Sequence, residues 1–175
     1  MKKLICFLSI VMVLFFVSSC KNNKHAKNYN EMIDEGSVSF IQQGLEAGQT
    51  EIKASQLAAA NSKNPHVLSF ARSIIMDYDT TNDRLEKIAI NNRVRGGDSV
   101  SARHQKAIAN ITSLSGNAFD KAYIQFMVTE HQNVVKLYNA ATNDRLDAIQ
   151  TFARRALPVL KMHLDSANLI CATLK

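Results

Sequence analysis

Residues 64–89, "NPHVLSFARSIIMDYDTTNDRLEKIA", decide the fold. Ala71, Ile75, Tyr78, Asn82, Leu85 and Ala89 recur at alternating steps of four and three. That spacing lines side chains along one face of an α-helix; a strand would need steps of two. Asn64 supplies an N-cap, and Pro65 takes the first helical position, where a missing N–H costs nothing.

The same periodicity holds outward from this segment. A first helix is predicted over 37–62, with Ile41, Leu45, Gly48, Ile52, Ser55 and Ala59 on its stripe. Past the helix-breaking "RGGDS" at 95–99, a short amphipathic piece covers 101–114 and stops before Gly116. A third long helix is predicted over 117–142, capped by Asn117 with Asp120 three residues on, and turning Phe119, Tyr123, Met127, His131, Val134 and Tyr138 inward. The fourth, over 144–174, carries Ile149, Phe152, Ala156, Leu160, His163, Ala167 and Ile170. Four amphipathic helices on short turns pack most economically as an all-α antiparallel four-helix bundle, here with a short extra helix between helices two and three.

Upstream, residues 1–20, "MKKLICFLSIVMVLFFVSSC", combine two lysines, an apolar run and small residues before a cysteine. This is a secretory signal peptide of the lipoprotein type, predicted to be removed as 1–19 and to leave Cys20 acylated, with palmitate among its acyl groups. Residues 20–36 then form a polar tether and 37–175 the bundle. The expected address is the bacterial envelope, facing the periplasm, and Lys21 after the cysteine favours the outer membrane. Loss of Lys2 and Lys3 lowers the formal charge from +6 to +4, too little and too scattered for nucleic acid. The lipid anchor makes the membrane the one expected partner; no protein partner is specified. Of three cysteines, only Cys171 remains in the domain, so no internal disulfide is available and the core must carry stability. Cys171 reads as a small core residue.

"FIQQGLEAGQTEIKASQLAAANSKNPHVLSFARSIIMDYDTTNDRLEKIA", "AFDKAYIQFMVTEHQNVVKLYNAAT" and "FARRALPVLKMHLDSA" resemble, in order, the DUF4142 family of exported bacterial proteins. The resemblance implies a ferritin-like four-helix bundle and assigns no activity. Its pattern of Glu in helix one, Asp-His in helix two, His in helix three and Leu-Pro…His in helix four maps onto Glu51, Asp77 with Tyr78, His131 and His163. Tyr78 departs from the histidine.

These residues fall on or beside the inner stripes, with Tyr78 and Glu130 as supporting neighbours. Glu51, Asp77, His131 and His163 are therefore candidate ligands of a divalent transition metal, which takes imidazole and carboxylate donors. A di-iron centre is disfavoured, because Val128 and Leu160 stand where Glu-x-x-His needs a glutamate. A phenol at Tyr78 weakens any such site. Two further readings stay open: a buried, neutral hydrogen-bonded network, and a proton-handling role. No phosphate loop, serine elbow or cysteine–base pair supports catalysis, so no catalytic residue is assigned. The expected role is a binding or structural module in envelope maintenance or stress tolerance, the alternative a mononuclear metal-binding protein. Pro158 is predicted to bend helix four and to free the Arg154 carbonyl.

Overall fold

The computed structural model describes residues 33–174. Cys20, the signal peptide and most of the tether lie outside the described residues. The described chain is a compact unit of its own made of five helices: α1 (Glu35–Asn61), α2 (Pro65–Asn91), α3 (Ala102–Thr112), α4 (Gly116–Ala141) and α5 (Asp147–Thr173). No strand occurs among the described residues.

The helix ends follow local chemistry. Asp34 caps α1 by accepting from the Ser37 N–H at 2.7 Å, so the helix opens two residues before its expected start. Asn64 accepts from the His66 and Val67 N–H groups, with Pro65 at the predicted position. Two other expected starts move as well. α4 begins at Gly116 after Ser115, placing Asn117 inside the first turn. α5 begins at Asp147, because Asp144 is spent in the turn, accepting from the Ser37 hydroxyl at 2.7 Å and the Leu146 N–H at 2.8 Å.

Cross-helix contacts give the topology. Ser55 meets Tyr123, Glu51 meets His131 and Ser37 meets Asp144, so α1 and α4 run antiparallel. Asp77 of α2 meets His163 of α5. Each neighbouring pair of long helices is antiparallel, which requires the link from α2 to α4 to climb the length of the bundle. A single long crossover of this kind is the ferritin-like arrangement. The crossover is pinned to α1 where Gln42 Nε2 donates to the Arg95 carbonyl at 2.6 Å. Gly97, at φ +83°, lies where a Cβ would sit 2.3 Å from the Gln42 carbonyl oxygen. Only glycine tolerates both demands.

α3 covers the seam between α1 and α4. His104 fastens it: Nδ1 donates to Glu46 Oε1 at 2.7 Å, and Nε2 accepts from Arg103 Nη2 at 2.8 Å and lies 3.3 Å from Glu130 Oε2. Burial raises the Glu46 carboxyl, but the hydrogen bonds from His104 and the Ser101 N–H outweigh it and hold the group below its ordinary value.

The interior is layered. Phe40 packs edge-on to Tyr138 and Phe152 at one end, and at the other Phe70 stands edge-on to Tyr123, which stacks on Phe119. Between them the core turns polar, and the candidate residues stand there.

Candidate functional site

Glu51, Tyr78, His131 and His163 come from α1, α2, α4 and α5, and each is at most 3% exposed. Their helices are drawn together by small residues. A Cβ on Gly48 would lie 2.1 Å from the Asn82 amide oxygen, and one on Gly44 would lie 2.7 Å from Leu85 Cδ2. The rings of His131 and His163 meet edge to face with centroids 5.5 Å apart. Tyr78 stacks near His163 at 6.4 Å and stands edge-on to His131 at 6.2 Å.

The expected four-ligand cage does not form. Among the described residues, no three His, Cys, Asp or Glu side chains are grouped as a metal-holding set. They pair instead. His131 Nε2 lies 3.3 Å from Glu51 Oε2. His163 Nε2 donates to Asp77 Oδ2 at 2.9 Å. Asp77 is thus a support for His163 rather than an inward ligand. Adjacent helical residues point about 100° apart, so Tyr78 facing the axis leaves Asp77 at the rim. Glu130 also moves from its expected role: its carboxylate reaches His104, and it acts on the interior only as a nearby negative charge.

Both tautomers are set by these partners. Met127 O can only accept, so His131 Nδ1 carries the hydrogen in their 3.0 Å contact and Nε2 keeps a bare lone pair. Asp77 likewise fixes the hydrogen on His163 Nε2 and leaves Nδ1 bare. Both bare nitrogens, both Glu51 oxygens and the Tyr78 hydroxyl are buried without an aligned hydrogen-bond partner among the described residues. Buried polar groups are nearly always satisfied, so such a concentration sets this layer apart from the rest of the core.

Burial sets the charges. It pushes Glu51 well above the ordinary carboxyl value; the Tyr78 hydroxyl pulls it partway back and the Glu130 charge adds to the rise. Burial, the neighbouring His163 and the opposing Met127 carbonyl leave His131 at about 4. Burial also lowers His163, against the pull of Asp77. Tyr78 is driven well above its ordinary value, by burial first and then by Glu51. Burial thus disfavours the charged form of each group, biasing the Glu51 carboxyl toward its protonated form and both imidazoles toward neutrality.

Donor chemistry fits a borderline divalent ion. Two donors each about 2.1 Å from one tetrahedral ion stand about 3.4 Å apart, close to the 3.3 Å between His131 Nε2 and Glu51 Oε2. The bare His163 nitrogen and the Tyr78 hydroxyl are the remaining donors of the layer.

Comparison with known proteins bears on the fold. The profile of the DUF4142 family, a domain of unknown function, matches residues 22–170. A crystal structure of a DUF305 fragment from Deinococcus radiodurans superimposes with a TM-score of 0.72 at 15% identity, covering 81% of this chain and 98% of that one. No curated protein matches the chain.

Proposed function

This chain belongs to the DUF4142 family, and on that footing we propose that it is a lipid-anchored module of the bacterial envelope that takes a divalent transition-metal ion, zinc or copper, into its bundle. One observation carries the reading: two imidazole nitrogens, a carboxyl and a phenol from four helices lie buried in a single layer without aligned hydrogen bonds. His131 and Glu51 would hold the ion, and His163, oriented by Asp77, would have to shift toward it to add a third donor. A bound ion would replace the Glu51 proton, satisfy the bare nitrogens and rivet the helices together.

Affinity is modest, because the donors pair off and Tyr78 is a poor ligand. Calorimetric titration of zinc and copper into the tag-free domain tests the assignment. Tyr78→His raises affinity at least about tenfold, equivalent to about 1.4 kcal/mol, and His163→Ala removes the gain. A Tyr78→His protein that binds no more tightly than the parent sinks the metal reading and leaves a neutral hydrogen-bonded core in its place.

Membrane attachment rests on the "VSSC" sequence ending at Cys20. No helix among the described residues is long and apolar enough to cross a membrane. Cys20→Ala should abolish acyl labelling and release the protein from membranes; an unlabelled protein that stays membrane-bound overturns the anchor.

A further inference from the structure

The two narrow seams of the bundle are treated differently. The α1–α4 seam lies under α3, whereas α2 and α5 touch sparingly. A cleft of about 770 Å³ opens between them, within the range of small-molecule sites. Its apolar surface comes from Tyr78, Ile88, Phe152, Ala156, Val159 and Leu160. The Asp77–His163 bridge marks one end, with a second cleft of about 360 Å³ beyond it.

Charge supplies the argument for an occupant. With Asp77 opposite His163 in an antiparallel pair, Arg84 stands opposite Ala156, next to Arg155. Two guanidinium-bearing residues thus reach the cleft at one level from opposite walls. Neither forms an ion pair among the described residues. Asp77 is seven residues from Arg84, about 10 Å along the helix, and Asp147 is eight from Arg155, about 12 Å. Asp77 is already bonded to His163. Neither arginine has an acidic residue three or four positions away on its own helix. Facing like charges repel, and a shared anion reverses the sign. Arginine pairs with carboxylate or phosphate through two parallel hydrogen bonds.

We infer that the α2–α5 cleft binds a single-chain amphiphile with an anionic head, held between Arg84 and Arg155 while its chain lies over Ala156, Val159 and Leu160 toward Tyr78. The cleft borders the interior layer at Tyr78 and His163, but its head-group contacts are Arg84 and Arg155, so anion binding and metal binding are lost through different variants. Arg84, Arg155 and Val159 are exposed, and their replacement leaves the core untouched.

Calorimetric titration of the tag-free domain with dodecanoate and dodecyl phosphate, below their micellar concentrations, tests it. Dodecyltrimethylammonium is the charge control and acetate the head-only control. Saturable binding of one anion per chain is expected, with the tighter of the two identifying the head group; the controls do not bind measurably. Arg84→Gln with Arg155→Gln weakens binding at least about tenfold at unchanged Tm. Val159→Asp does the same by placing a carboxylate in the chain's path. Absence of saturable binding, equal binding of the cationic control, or undiminished binding in the double variant overturns the assignment.

Discussion

Replacing Glu51 with Gln keeps the side chain's shape and a donor while removing its titration. Burial holds the Glu51 carboxyl well above its ordinary value of 4.5. Above pH 4.5 the unfolded chain therefore releases a proton that the folded bundle keeps. The contribution of Glu51 to stability is complete below that pH and declines as pH rises toward the folded value, by about 1.4 kcal/mol per unit. His131 has the opposite sign. Its value falls from 6.5 to about 4, so its contribution is present above pH 6.5 and lost as pH falls through that window, about 3 kcal/mol in all. Just above pH 4.5 the unfolded chain carries one proton on His131 and the folded chain carries one on Glu51. The pair's proton count barely changes on unfolding, and its net slope is nearly flat. Glu51→Gln removes the compensation. Urea denaturation followed by helical circular dichroism, from about pH 4 to about pH 8, should show the variant gaining on the parent by about 1.4 kcal/mol per unit from pH 4.5 upward. His163 titrates in both proteins and largely cancels in the difference. A difference curve that stays flat up to neutral pH would refute a protonated Glu51 in the folded interior.

Gly48→Ala should destabilise the bundle by about 1 to 3 kcal/mol, outweighing its gain in helix propensity, because the new methyl would lie 2.1 Å from Asn82 Oδ1. Adding Asn82→Ala should recover most of that loss; a fully additive pair in urea denaturation would remove Asn82 as the cause. Pro158 sits within an unbroken α5. Pro158→Ala should leave stability within about 2 kcal/mol, since restored helix propensity offsets lost fit, and a larger drop in urea denaturation would show that packing requires the proline.

Helix type and the inner stripes were legible because burial acts on periodicity. On α4, all six residues expected inside are buried. Errors of one position arose where small residues widen the inner face: Glu51 and Ala58 are buried on α1 while Ile52 and Ala59 are only half-buried. Gly44, Gly48, Ala54 and Ser55 let a neighbouring helix approach across more than one stripe. The inward setting of Tyr78, His131 and His163 was legible for the same reason, whereas Glu51 entered through the resemblance to the family and Asp77 was expected inside with them. Their pairing was not, because it depends on helix rotation and register, although the angle between successive residues already set Asp77 apart from Tyr78. The tie of His104 to Glu46 was invisible, since nothing in "SARHQ" says along which seam the crossover climbs. The Tyr123 hydroxyl meets Ser55 Oγ at 2.8 Å, a pairing across α1 and α4 that periodicity alone does not specify.

The two histidine clusters share adjacent residues of α4, Glu130 and His131, and they part in how their nitrogens are used. At His104 both ring nitrogens have partners, and the result is a fastening for α3. At His131 and His163 one nitrogen of each ring is fixed by a backbone carbonyl or a carboxylate, which leaves the other bare and facing a buried carboxyl. A fold that satisfies one buried imidazole completely shows that its chemistry does not prevent satisfaction. Leaving two others half-satisfied costs about 1 to 3 kcal/mol per buried group, a cost that a network of Asn or Ser side chains would avoid. Glu51 offsets part of it while protonated, because its hydroxyl faces His131 Nε2, but no donor stands opposite His163 Nδ1 among the described residues. That single nitrogen separates the two accounts of the core. A purely structural network gains nothing from keeping it bare, so His163→Phe should then be neutral or stabilising, whereas a metal site needs its lone pair.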